Sequence, residues 1–184
     1  MLYSVLVLIV DTVAAILAGI LLLRFWMQAV RVRPPMSLGQ FMYQLTDWLV
    51  KPLRRIMPGV AGYDWASLLG AFLVALASVA IVLAVASPSF VLFDIQALLV
   101  LSVVKLAQWI LYGLMGLIII EVIFSWVNPN APLAPLVGAL TEPVMRPLRR
   151  VIPAIGGVDL SPLVAFLLLR IALFVVDAVL LPMA

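Results

Sequence analysis

The sequence predicts an all-α integral membrane protein with four transmembrane helices. They form two parallel helix–loop–helix repeats, each with an interfacial amphipathic helix in its loop. Three observations lead there. Of the 184 residues, 67% are hydrophobic and only 10% charged, whereas a soluble domain averages about 45–50% apolar and about 25% charged. Four apolar runs are long enough to cross a bilayer, and their lack of a two-residue period does not suit barrel strands. Finally, one basic, proline-studded phrase is written twice, as KPLRRIMPGVAGYD at 51–64 and RPLRRVIPAIGGVD at 146–159. Seven of its fourteen positions are identical, and Thr46 and Thr141 extend the match upstream.

The first repeat is expected over residues 1–94. Its opening span, residues 2–23, has 22 residues; at about 1.5 Å each these cover the roughly 30 Å hydrocarbon core. No basic residue precedes Arg24, so a retained helix is expected and not a cleaved signal peptide. Next comes an amphipathic helix over about 37–57. Leu38, Phe41, Met42, Leu45, Trp48, Leu49, Leu53 and Ile56 recur at three- and four-residue steps, with Gln40, Gln44, Asp47, Lys51, Arg54 and Arg55 opposite. Such a helix suits the membrane interface. The second span is residues 65–86.

The second repeat, residues 95–184, has spans at about 98–126 and 160–181 and an interfacial helix at about 134–152. Pro143 and Pro147 are expected to kink or restart that helix, because proline lacks an N–H. Gly62 and Gly157 suit positive φ, and Asp64 and Asp159 suit caps for the span that follows. Ser161-Pro162 is an alternative cap. Ala15-x-x-x-Gly19, Ala66-x-x-x-Gly70 and Ala71-x-x-x-Ala75 suit close helix packing.

Each half crosses the membrane twice, so the halves share one orientation. Nine of the eleven basic residues fall in 24–64 and 127–159. The positive-inside rule then places both basic loops in the cytoplasm and both termini on the outer side of the membrane. This topology also accounts for the net charge of +3, so nucleic acid is not an expected partner.

Six charges fall in or at the spans: Asp11, Arg24, Lys105, Glu121, Arg170 and Asp177. Buried charge in a membrane is costly and marks a functional or structural site. Matching depths suggests three ion pairs, Asp11–Arg170, Lys105–Asp177 and Arg24–Glu121, one of which is open to forming between protomers. In the loops, Lys51, Arg54, Arg55, Arg146, Arg149 and Arg150 are candidates for binding lipid headgroups or a protein partner. The plainer reading is that they anchor topology.

Cysteine and histidine are both absent. The sequence therefore offers no disulfide, no thiolate or imidazole metal ligand and no histidine general base. HExxH, GxSxG and glycine-rich phosphate motifs are missing too. A non-enzymatic protein is expected, without catalytic, cofactor or metal residues.

FSWVNPNAPL (124–133), LTEPVMRPLRRVIPAIGGVDLSPLV (140–164) and the earlier copy of the basic phrase resemble the YggT family in its two-copy form, over nearly the whole chain. These are small bacterial inner-membrane proteins with chloroplast relatives. The first half departs in RFWMQAVRVRPPMSLGQF (24–41): Phe25 stands where the second half has Ser125, and five extra residues separate Trp26 from Thr46. The resemblance implies links to osmotic-stress tolerance and potassium uptake, or to cell division, nucleoid or thylakoid organisation and cofactor assembly on membrane proteins. It implies no catalytic residue. Two functions follow as expectations: a scaffold or assembly factor working through the loop arginines, or a component of potassium uptake using the intramembrane charges. Expected partners are anionic lipid headgroups, other membrane proteins or a second copy of the chain.

Overall fold

A computed structural model describes residues 2–57, 59, 62–86, 95–152 and 159–180. The expectations for Gly157, and the prolines Pro58 and Pro153, lie outside these residues. Within them the chain forms six helices: α1 (Leu2–Ala29), α2 (Met36–Ile56), α3 (Trp65–Ala86), α4 (Ile95–Val127), α5 (Ala134–Val151) and α6 (Ser161–Leu180). Helices α1, α3, α4 and α6 are long and apolar enough to cross a membrane. Each half of the chain is therefore span, short helix, span, as the twice-written phrase requires.

Helix α1 runs past the expected end at residue 23 to Ala29. Arg24 does not mark a water boundary. It is 7% exposed and lies among carboxylates, so the helix continues through it. Helix α4 has 33 residues, about 50 Å at the usual rise, and overshoots a roughly 30 Å core.

Small residues set the packing of the first half. Ala66, Ala71 and Ala75 of α3 are buried and let α1 approach closely. Gly70 leaves room for Leu21 and Leu49, which would lie within 3.6 Å of an added Cβ. Ala18, Leu21, Val50, Ala66 and Ala71 form one core cluster. The Ala15–Gly19 step does not join it. Gly19 is exposed and, with Trp26, Trp109 and Gly113, lines an apolar crevice of about 470 Å³ between α1 and α4.

Helix α4 packs against α1, α3, α5 and α6, whereas α6 has substantial contacts only with α4 and α5. The bundle is thus a triangle of α1, α3 and α4, with α6 attached to the side of α4. Both short helices lie at one end of it. Met27 of α1, Met42 of α2 and Leu136 and Leu140 of α5 share a cluster, and Trp26 donates its indole N–H to the Leu140 carbonyl at 2.9 Å.

The apolar face of α2 splits in two. Met42 and Val50 are buried against the bundle, whereas Phe41, Leu45 and Trp48 are exposed, Trp48 by 65%. Helix α5 does not restart. Pro143 and Pro147 lie inside one continuous helix, on its exposed side, where each removes one i→i−4 bond without ending it.

Candidate functional site

The end of α1 and the start of α2 enclose a cleft of about 620 Å³ at the loop end of the molecule, lined by Arg24, Arg31, Arg33, Tyr43, Asp47 and Arg54 among others. Arg31 closes α1 with φ 61°, in the left-handed position that glycine usually fills at helix ends. For a residue with a Cβ this costs roughly 1–2 kcal/mol, and such strain collects where a side chain must be aimed. Arg31 and Arg33 have no carboxylate partner among the described residues.

Behind them, Arg24 and Arg54 are held by an acidic pair. Arg24 donates to Thr46 at 2.9 Å and to Asp47 at 2.7 Å, lies 3.3 Å from Asp64, and sits over the Tyr43 ring at 4.7 Å. Arg54 grips Asp64 with two bonds, Nη2 at 2.7 Å and Nε at 3.3 Å. The Ser67 hydroxyl donates to the same carboxylate at 2.6 Å. Asp64 is 2% exposed. Burial pushes its carboxyl up, but the hydrogen bonds from Arg54 and Ser67 and the charges of Arg54 and Arg24 outweigh this and hold it below the ordinary value. Asp47 is lowered in the same way, against burial, by Arg24 and Lys51. Bonding to Asp64 raises the Arg54 guanidinium against the opposing effect of burial.

Asp64 thus anchors this network with its side chain, in place of the side-chain cap its position suggested. The first turn of α3 uses its main-chain carbonyl, which accepts from Ser67 and Leu68. Gly62 takes φ 83° as expected, and this turn returns the chain so that Arg54 and Asp64 meet. Phe25, Tyr63 and Trp65 pack as three rings 6.0–6.3 Å apart beside it.

The second loop repeats the central link. Arg149 donates to Asp159 at 3.0 Å, as Arg54 does to Asp64. Arg149 also reaches Glu121 at 2.8 Å and Glu142 at 3.4 Å. Asp159 accepts from the Ser161 backbone N–H at 2.9 Å, so it caps α6 and Ser161 does not act as the cap. Burial pushes the Asp159 carboxyl up, but bonds from Ser161 and Arg149 hold it below the ordinary range. Burial opposes the charge on Arg149, and Glu121 and Asp159 raise it nonetheless. The two networks differ in sign. The first joins Arg24, Lys51 and Arg54 to Asp47 and Asp64, three cations to two carboxylates. The second sets one arginine among three carboxylates. Of the loop candidates, then, Arg54 and Arg149 are engaged inside the molecule and Lys51 pairs with Asp47 at 3.1 Å. Arg55, Arg146 and Arg150 are exposed and carry no acidic partner among the described residues.

Within one chain the structure corrects all three expected pairs inside the spans. Asp11 meets Lys105 at 2.5 Å, and not Arg170. Ser78 completes a triad, accepting from Lys105 at 2.8 Å and donating to Asp11 at 3.0 Å. Asp177 accepts from Gln108 at 2.8 Å, and not from Lys105. Arg24 turns toward α2, and Glu121 goes to Arg149. Depth alone could not choose between neighbours. Helix α6 is not packed on α1, so Asp11 and Arg170 of one chain are kept apart, whereas α4 meets both α1 and α3. Ser78, Gln108, Tyr43 and Asp47 were not singled out as site residues from sequence. Extending the depth match to uncharged polar residues would have found Ser78 and Gln108.

Four apolar spans, two short helices at one end and paired loop networks define a multi-pass helical membrane protein built from a tandem repeat. The chain belongs to the CCB3/YggT family, whose model matches residues 3–85 and again 93–180. It is 38% identical over 165 residues to an uncharacterised protein of Pseudomonas aeruginosa, covering 89% of this chain and 83% of that one. It is 34% identical over 177 residues to an uncharacterised protein of Vibrio alginolyticus, covering 95% and 94%. With the uncharacterised YggT protein of Escherichia coli K12 the identity is 30% over 165 residues, covering 89% and 84%. No solved structure matches.

Proposed function

We propose that this protein is a non-enzymatic organiser or assembly factor of the bacterial inner membrane, acting through basic loops that face the cytoplasm. The observation that carries the reading is the cleft lined by Arg24, Arg31, Arg33 and Arg54. Arg24 and Arg54 are held rigid by Asp47 and Asp64, which leaves Arg31 and Arg33 to meet an incoming anion. Arg55, Arg146 and Arg150 extend the basic surface. Beside it, exposed Phe41, Leu45 and Trp48 of α2 suit burial among lipid headgroups and upper acyl chains. The ligand class is an anionic group at the membrane surface, a lipid phosphate or the acidic segment of a membrane-bound partner. Potassium uptake or osmotic adaptation is the alternative function. It would use the intramembrane charges, of which Asp11 and Lys105 neutralise each other.

The test is reconstitution of the purified protein in liposomes of phosphatidylcholine with phosphatidylglycerol. Expected are co-purified phosphatidylglycerol that is lost in Arg31→Gln/Arg33→Gln, and potassium flux no greater than in empty liposomes. Flux above that level, abolished by Lys105→Met, would overturn the organiser reading in favour of transport.

A further inference from the structure

Of the charges in the spans, Arg170 alone has no hydrogen bond or ion pair among the described residues. It lies nine positions after Ser161 in α6, about 14 Å along the helix, and its side chain is exposed. A cation at that depth is costly unless a carboxylate or a polar cavity receives it. The repeat sharpens the point. At the 95-residue offset Arg170 aligns with Ala75, Phe166 with Ala71 and Phe174 with Val79. In α3 these positions are buried, at 0%, 0% and 7% exposure; in α6 Phe166 is 37% and Phe174 71% exposed. The face that α3 has covered by neighbouring helices is bare on α6.

One acid in the spans is placed to receive Arg170. The Asp11 side chain is 42% exposed. Lys105 and Ser78 both use its Oδ1, so Oδ2 remains open. Asp11 is level with Ser78, whose counterpart on α6 is residue 173, three positions beyond Arg170. The height difference is about 4.5 Å, within the span of an arginine side chain. Within one chain the two cannot meet, because α6 is not packed on α1. We propose that a second copy of this chain packs on the bare face of α6, with Arg170 of one copy paired to the open carboxylate oxygen of Asp11 in the other. The half-satisfied acid on α1 and the unsatisfied base on α6 are complementary, and intramembrane polar groups serve to join helices in this way.

The test uses the absence of native cysteine. Leu8 and Phe174 are 67% and 71% exposed and lie one turn from Asp11 and Arg170 on the same helix faces. Two differently tagged copies, one Leu8→Cys and one Phe174→Cys, are co-expressed and oxidised in native membranes. The expected result is a disulfide between residue 8 of one copy and residue 174 of the other, in excess over 8–8 and 174–174 products. It should fall to background when the Phe174→Cys copy also carries Arg170→Leu, and persist with Arg170→Lys. Absence of the mixed product from membranes in which both copies are inserted would overturn the proposal. Arg170 would then serve a lipid phosphate or a different protein. Persistence of the product with Arg170→Leu would overturn the charge pairing.

Discussion

Asp64 and Asp159 are the same letter in the same phrase, yet the structure assigns them different energies. Asp64→Asn removes the carboxylate charge that faces Arg54 and the 7%-exposed Arg24. Breaking one side of a buried pair costs about 3–5 kcal/mol. Arg24 keeps Asp47, and Arg54, 47% exposed, can rehydrate, so the lower end applies, about 3 kcal/mol. For a chain of this size that is a fall in Tm of about 6–12 °C. Asp159→Asn disturbs a pair whose members are 39% and 43% exposed, worth about 0–1 kcal/mol. Asparagine caps a helix as well as aspartate does, so the bond from Ser161 is retained and the loss stays within about 4 °C. Thermal unfolding in lipid nanodiscs, followed by tryptophan fluorescence, reads both. Equal losses, or a larger loss at Asp159, would refute the reasoning. The pH dependence gives a second check. The folded carboxyl of Asp64 lies below its ordinary value of 3.8, so its contribution is complete above about that pH and disappears as the pH falls through the lower, folded value. The gap between wild type and Asp64→Asn should therefore be full at neutral pH and close only in strong acid.

Three further outcomes are expected. Lys105→Met should destabilise by about 3–5 kcal/mol, because it removes the cation that Asp11 meets within its own chain; adding Asp11→Asn should recover part of that, with a coupling of about 0.5–3 kcal/mol in a double-mutant cycle of unfolding. Gly62→Ala forces an alanine to φ 83° and should cost about 1–2 kcal/mol in the same assay, whereas additive-free tolerance would show that the turn relaxes. In a variant retaining Trp48 as its one tryptophan, fluorescence should be quenched by lipids brominated on their upper acyl chains more than by aqueous iodide; the reverse order would place α2 in water.

The spans and both short helices were legible because hydrophobic periodicity depends only on neighbours in sequence. Helix α2, expected at about 37–57, forms over Met36–Ile56, and the stripe from Leu38 to Ile56 is enough to define it. Arg54 and Asp64 were also visible, but as separate candidates, a lipid ligand and a helix cap. Ten residues is no helical spacing, and only the return at Gly62 brings them together. Within one chain the intramembrane pairs failed for a related reason. Counting residues from a helix end gives the depth of Lys105 but not which side of α4 it occupies. The choice of Asp11 over Asp177 follows from α4 packing on α1 and α3 together, which is a tertiary fact. Pro143 and Pro147 do not restart the second short helix: each lacks an N–H, yet α5 continues through both on its exposed side.

The order in which the chain is made gives the Asp11–Ser78–Lys105 triad a history. Every member of the first loop network lies between residues 24 and 67, so Arg24, Asp47, Arg54 and Asp64 can be joined while the second half is still on the ribosome. Asp11 cannot be completed so early. Its serine arrives with α3, but Lys105 follows 27 residues after Ser78, roughly 1–5 s later at usual rates of synthesis. During that interval the first hairpin holds a carboxyl in the bilayer with a hydroxyl as its nearest polar companion. Its neutralisation waits for α4, which makes the arrival of the fourth helix a step in membrane insertion as well as in packing.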